Sequence, residues 1–345
     1  MVLGILAGLF RMGWILPVEE IIMQHGAIMI GSFLGTLIIL ERVVALKQNW
    51  MYGIPIISGI SIILFWFGQD NLAMYFISIG SIGLIYIYYY LIIRYKEIYY
   101  YVMGIGAIMW LVGNVALIIN PLYPAAVPWW IAFILFTIVG ERMELSKFLP
   151  RKKYKNTLLF VSIAIYTIGL LMPDTQSFNF GESISGVGLI AIAIWLFKYD
   201  IARMTAKTSG IHKYTGSLLL TGYVWLLLTG IMLLLGWDAP LAYDAVLHSF
   251  FLGFTFFMIF AHAPIIFPGV AGLSFRPYHP TLYIWTVLLF ITLSGRIIGD
   301  IMLDTEIRKI FGMLNALIIL FFFVNLFILM VIEYRKTPKI KSKKN

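Results

Sequence analysis

The chain has 345 residues, of which 61% are hydrophobic and 12% are charged, and it contains no cysteine. This composition excludes a soluble globular domain, and the lack of thiols excludes disulfides, iron–sulfur clusters and cysteine-bound zinc. In a soluble protein the formal net charge of +9 would suggest nucleic acid as a partner, but a membrane protein collects basic residues in its cytoplasmic loops. We therefore predict an integral membrane protein with the lipid bilayer as its surroundings and no nucleic-acid partner.

Apolar windows of about 17 to 25 residues, separated by polar loops, predict an all-α polytopic protein with about twelve transmembrane helices. In chain order the predicted helices cover residues 2–16, 20–46, 53–68, 72–93, 98–119, 125–146, 157–172, 184–198, 214–236, 243–267, 280–297 and 309–334. Residues 1–334 then form a single transmembrane domain, and residues 335–345 form a basic cytoplasmic tail.

The basic residues indicate how these helices are oriented. With twelve helices and both termini cytoplasmic, most lysines and arginines lie in inside loops. The outside loops hold only Arg11, Arg296, Arg308 and Lys309. This asymmetry predicts a multi-pass protein of the plasma membrane with both termini in the cytoplasm.

Two Glu-Arg pairs suggest an internal repeat. Glu41-Arg42 ends the second predicted helix and Glu141-Arg142 ends the sixth, which places the pairs 100 residues and four helices apart. The same step leads from the sixth helix to the tenth. The twelve helices are therefore predicted to form three pseudo-repeats of four helices.

The tenth predicted helix carries two histidines, His248 and His262, fourteen residues apart. In a regular α-helix they would lie about 40° apart around the axis and about 21 Å apart along it. His25 lies at the depth of His248 on the second helix. Two imidazoles that face each other between helices are the geometry of bis-histidine haem ligation, so we predict haem b held by His25 and His248. Structural histidines bonded at a helix end, or a copper or transport site, are the alternatives.

The residues around this pair suit a macrocycle. Glycines on the second and tenth helices leave room for a flat ring, and several phenylalanines between residues 250 and 257 provide apolar walls. Arg11 and Arg296 are the candidate partners of the haem propionates.

A second site is predicted toward the inner face, where His262 precedes two prolines and His279 follows a third. Proline frees backbone carbonyls, which suits a ligand site. His262 and His279 are therefore candidate ligands of a second haem or a metal such as copper. The alternative is that both histidines bond to water or lipid headgroups.

Three segments carry a resemblance to known proteins: ILAGLFRMGWILP at the start, HGAIMIGSFLGTLIILERVVAL in the second helix and HSFFLGFTFFMIFAHAPIIFPGV in the tenth. They resemble NnrS-type membrane proteins, which have twelve helices and are associated with haem, copper, denitrification and nitric-oxide stress. The chain is more distantly similar to the main subunit of haem–copper oxidases, whose second and tenth helices hold a low-spin haem between histidines. The sixth helix here has no histidine, so oxygen reduction at a binuclear centre is not expected.

The resemblance implies a haem protein that relays electrons to a redox partner protein or to subunits of a respiratory complex, without covalent chemistry of its own. Two other functions stay open. One is a transporter or permease with a proton or substrate site near the inner face. The other is a haem-free structural subunit of a respiratory complex.

Overall fold

The computed structural model describes residues 1–16, 19–150, 153–172, 180–236 and 239–336, so most of the predicted basic tail lies outside the described residues. In these ranges the chain is helical and has no strands, which confirms the predicted all-α polytopic architecture. We number the twelve main helices α1 (Val2–Arg11), α2 (Ala27–Leu46), α3 (Gly53–Trp66), α4 (Asp70–Tyr95), α5 (Ile98–Ile119), α6 (Tyr123–Leu145), α7 (Lys155–Leu171), α8 (Phe180–Tyr199), α9 (Gly210–Leu235), α10 (Ala242–Val270), α11 (Leu282–Met302) and α12 (Thr305–Lys336).

In the described ranges, ten of these helices are long and apolar enough to cross a membrane, α3 only together with the 3₁₀ turn Asn49–Tyr52 that precedes it, while α1 and α7 are apolar but shorter. α1 ends at Arg11, five residues before the predicted end of the first helix. Gly13 follows with a φ of +89°, a backbone conformation outside the right-handed helical region that glycine adopts without steric cost. Against about twelve predicted transmembrane helices, the described ranges therefore contain ten that have the length and composition of a membrane span, and the first helix is shorter than its hydrophobic run.

Consecutive helices pack on one another, and α12 returns to contact α1, so the helix contacts close into a ring. α2 and α10 also contact each other across this ring. Of the residues in their apolar windows, 72% are buried in α6, 61% in α10 and 50% in α2. The second, sixth and tenth helices, which the predicted repeat makes equivalent, therefore all contribute heavily to the buried interior.

α2 and α10 each contain a stretch of π-helix that closely follows a histidine. The stretch in α2 is Ala27–Gly35, two residues after His25, and the stretch in α10 is Ser249–Thr255, immediately after His248. π-Helix makes up well under 1% of residues in proteins and occurs frequently at functional sites. Because it is wound more loosely than α-helix, the predicted 40° and 21 Å between His248 and His262 do not apply to α10.

α10 continues through Pro264 and Pro268. Pro264 cannot donate a hydrogen bond to the carbonyl of Phe260, and the hydroxyl of Tyr214 on α9 donates to that carbonyl instead, at 3.2 Å. The carbonyl that was expected to be free for a ligand is therefore satisfied by a neighbouring helix.

Candidate functional site

The main candidate site is a cavity between α1, α2, α6, α10, α11 and α12, with a volume of about 260 Å³. We call it the His25 cavity. Its lining includes all four residues predicted to bind a cofactor at this end of the protein: His25, His248, Arg11 and Arg296. The two histidines, separated by more than two hundred residues of sequence, are thus brought to one cavity.

Both histidine rings are held through the same nitrogen. The Nδ1 of His25 donates to the carbonyl of Gly4 at 2.6 Å, and the Nδ1 of His248 donates to the carbonyl of Asp244 at 2.8 Å. Within the described part of the chain, no hydrogen bond uses the Nε2 of either ring. An Nδ1–H that donates to a carbonyl leaves Nε2 as an unprotonated electron-pair donor, which is the arrangement of metal-bound histidine.

Glycines on α1 allow the close approach that holds His25. A Cβ atom at Gly8 would lie 2.7 Å from the Cε1 of His25, and one at Gly4 would lie 2.6 Å from the Sδ of Met29. Gly4 and Gly8 are four residues apart, the spacing at which small residues let two membrane helices pack closely. This G-x-x-x-G pattern is the signal in the sequence that indicates α1 as the helix packed against His25.

Three arginines line the His25 cavity, Arg11, Arg296 and Arg308, and their electrostatic surroundings differ. The Nη2 of Arg296 lies 2.9 Å from the Oδ2 of Asp244, and the guanidinium of Arg308 bridges Asp244 at 3.2 Å and Asp300 at 3.1 Å. Arg296 is therefore already paired with a carboxylate. Arg11 has no ion-pair partner among the described residues, which leaves it as the cation available to an anionic ligand group.

Asn315 contributes a further polar group to this lining. Its Oδ1 accepts a hydrogen bond from Thr292 at 2.7 Å, while its buried Nδ2 has no partner in the described structure. A buried donor without a partner is unfavourable unless water or a ligand satisfies it. Asn315 therefore offers a hydrogen bond to an occupant of the His25 cavity.

A second cavity of about 90 Å³ lies between α2, α6 and α10 and is lined by His262. We call it the His262 cavity. The Nδ1 of His262 donates to the carbonyl of Met258 at 2.7 Å, and its Nε2 accepts from the Nη2 of Arg142 at 3.0 Å. Both ring nitrogens are in use, so His262 has no free nitrogen for the predicted haem or metal in this arrangement.

His279 does not join His262. It lies in the connection between α10 and α11, is exposed, and its Nδ1 accepts from the backbone N of Thr281 at 3.3 Å. It lines neither of the two cavities. The sequence predicts that the two histidines lie at equal depth, but the structure does not bring them to one cavity. Across the described ranges, no group of three His, Asp or Glu side chains is arranged to hold a metal ion.

Asp244 belongs to the candidate site, although the sequence did not single it out. It precedes His248 by four residues, so the two share a helix face, and its side chain joins His248 to Arg296 and Arg308. A carboxylate inside an apolar segment is costly to bury and is a functional signal by itself.

Comparison with known proteins identifies a family and no characterised relative. A family model described as a domain of unknown function (DUF8744) matches residues 1–331, which include eleven of the helices and most of α12. Neither a curated protein nor a solved structure matches the chain.

Proposed function

The chain belongs to the DUF8744 family, and we propose that it is an integral membrane haem-binding protein that relays electrons in a respiratory or nitric-oxide-related system. In this proposal a haem b is held between His25 and His248. The observation that carries it is that two imidazoles from separate helices line one cavity, each with its Nδ1 bonded to a carbonyl and its Nε2 without a hydrogen bond to any described residue.

The side chains that line the His25 cavity are chemically suited to a haem. Leu247, Phe251 and Phe256 provide apolar walls, and Arg11 provides a cation for a propionate. The volume of about 260 Å³ is just below the range of about 300 to 1,000 Å³ that is usual for sites that enclose small organic ligands. The whole macrocycle therefore requires side chains to move, and the flexible Met12 and Met29 in the lining are the side chains that can do so at least cost.

When bound, haem supplies one-electron transfer, and the protein supplies binding, orientation and electrostatics. The carbonyls of Gly4 and Asp244 hold the two rings in the tautomer that presents Nε2, and they raise the basicity of that nitrogen. Apolar side chains would keep water from the ring, and the exposed Arg11 at the end of α1 would mark the end of the site nearest a membrane face. A redox partner protein or the subunits of a respiratory complex would exchange electrons at that face. Copper, the other cofactor that the resemblance implies, would have the same two imidazoles as ligands.

The first test is the visible spectrum of the purified, detergent-solubilised protein, oxidised and dithionite-reduced, with a pyridine haemochrome count. We expect a sharp reduced α-band and one haem per chain. The variants His25→Ala and His248→Ala should lose the band, while His279→Ala, which changes an exposed histidine outside both cavities, should keep it. A colourless wild-type protein after expression with adequate haem supply, or an unaltered band in the first two variants, would contradict the assignment.

A further inference from the structure

The His262 cavity contains a carboxylate, that of Glu41, which forms no ion pair with any described residue. Glu41 of α2 lines this cavity together with Glu141 and Arg142 of α6. Among the described residues Glu41 has neither an ion-pair partner nor a hydrogen-bond partner. The adjacent Arg42 does not serve it, because its guanidinium pairs with Glu141 and lies 3.9 Å from Glu144.

Arg142 is engaged elsewhere as well. It donates to the Nε2 of His262 at 3.0 Å and lies 4.0 Å from the carboxylate of Asp200. Asp200 in turn accepts hydrogen bonds from Tyr223 and, at 2.8 Å, from Ser146. Both guanidinium groups near Glu41 therefore have other carboxylates as partners. An ionised carboxylate without a cation is costly inside a membrane, so Glu41 is best accommodated there when it carries a proton.

The His262 cavity also contains polar groups to which water can form hydrogen bonds. The hydroxyls of Thr137 and Thr255 are buried, line the cavity and lack hydrogen-bond partners in the described structure. A volume of about 90 Å³ holds several water molecules, since each needs about 10 to 15 Å³ measured in this way. Water between Glu41 and these two hydroxyls would satisfy all three groups.

Glu41 and Thr255 lie along a line that leads from one membrane face toward the His25 cavity. Glu41 lies five residues before the end of α2, close to the face at which Arg42 and Glu144 lie. Thr255 ends the π-helical stretch of α10, and the next residue, Phe256, lines the His25 cavity. Leu34 lines both cavities and is the side chain between them.

We propose that Glu41 is a proton-exchanging carboxylic acid in the His262 cavity, reached from the Arg42 side of the membrane and hydrogen-bonded through water to Thr137 and Thr255. The charged and titratable groups around it are Arg42 on its own helix, Glu141, Arg142 and Glu144 on α6, His262 on α10 and Tyr88 on α4. A proton is a better occupant than a metal cation, because the described carboxylates and histidines include no group of three that could hold a metal ion.

The proton site at Glu41 extends the proposed function, and its redox role rests on that function. Reduction of a bound haem by one electron would be accompanied by the uptake of one proton at Glu41 from the aqueous phase, and oxidation of the haem would release that proton. The charge added to the membrane interior by the electron is then balanced. The midpoint potential of the haem should accordingly fall as pH rises through the range in which Glu41 titrates.

Infrared difference spectroscopy between low and high pH tests the proton site without any haem. We expect a carboxylic-acid C=O band that shifts in D₂O, disappears in Glu41→Gln and persists in Glu97→Gln, which alters an exposed carboxylate between α4 and α5. Glutamine has the shape of the protonated acid, so the variant should fold. The isosteric Thr137→Val should slow the exchange of the band with D₂O. A band that survives Glu41→Gln, or that does not exchange, would overturn the proposal.

Redox titration then tests the coupling. If one proton is bound for each electron, the midpoint potential falls by up to about 59 mV per pH unit. This is the potential that corresponds to a tenfold change in the equilibrium constant of a one-electron reaction. Glu41→Gln should flatten this slope and leave the α-band unchanged, whereas Glu97→Gln should keep the slope. The two failures are separable: a colourless protein refutes the haem, while a coloured protein whose slope ignores Glu41 refutes only the coupling.

Discussion

The His25 cavity and the His262 cavity share three helices, α2, α6 and α10, yet their polar groups are arranged in opposite ways. In the first, neither histidine Nε2 has a hydrogen-bond partner in the described part of the chain, and the carboxylate of Asp244 is paired with arginines. In the second, the histidine Nε2 is bonded to Arg142 and the carboxylate of Glu41 is left unpaired among the described residues. The role of a histidine inside a membrane thus depends on the partner of its second nitrogen, which favours a metal ligand in one cavity and a structural acceptor in the other.

The largest expected effect distinguishes the two cavities directly. His248→Ala should remove the haem completely, because an axial ligand is lost, whereas His262→Ala on the same helix should retain one haem per chain. The pyridine haemochrome count of both variants, normalised to protein, is the measurement. A count of two haems in the wild type that falls to one in His262→Ala would show that His262 also binds haem.

Asp200→Ala should show that the buried contact between Arg142 and Asp200 stabilises the folded protein. The variant leaves Arg142 buried without its carboxylate, and loss of one partner of a buried ion pair costs about 3 to 5 kcal/mol. Thermal unfolding in detergent, followed by circular dichroism, should show a large fall in the unfolding temperature. Glu97→Ala, at an exposed site, should change stability by less than about 0.5 kcal/mol. Equal unfolding temperatures for the two variants would contradict a structural role of this pair.

Gly8→Ala should weaken haem binding without removing a ligand. The added Cβ would lie 2.7 Å from the Cε1 of His25 and would displace the ring from its bond to Gly4. Loss of an interaction that orients a metal-bound histidine typically costs about 10- to 100-fold in affinity, and we expect a loss in this range in a haem-transfer titration. Gly53→Ala is the matched control, since no atom lies within 4 Å of its added Cβ. Wild-type affinity in Gly8→Ala would show that α1 does not position His25.

The smallest expected effect concerns the charge beside His248. Asp244→Asn removes the negative charge shared by Arg296 and Arg308 but keeps the backbone carbonyl that holds the ring. The added net positive charge should stabilise the reduced haem and raise its midpoint potential in a redox titration. Glu306→Gln, an exposed carboxylate near the start of α12, should leave the potential almost unchanged. An unchanged or lower potential in Asp244→Asn would place the haem away from this ion cluster.

Much of the architecture was predictable from the sequence, because the thickness of the hydrocarbon layer requires apolar runs of a known length. The predicted helix 98–119 coincides with α5, and the other predicted helices differ from the observed ones at one or both ends. Several observed helices are longer than predicted, because polar residues such as Asp70 still belong to the helix although they lie outside its apolar run. In contrast, α1 ends five residues earlier than predicted, and α2 begins seven residues later, after the 3₁₀ turn Glu19–Gln24.

The sequence by itself determined which segments are long and apolar enough to cross a membrane, and it predicts that His25 and His248 lie at one depth, since both follow from apolar length and position along a helix. Only the tertiary structure decided what each polar atom meets: Arg296 with Asp244, Arg142 with His262, and His279 with Thr281. Depth along a helix is a local property of the chain. Lateral contacts such as the first two join side chains that are 52 and 120 residues apart, and π-helical turns change the face on which a side chain emerges. For this reason the pairing of charges could not be obtained from spacing in the sequence.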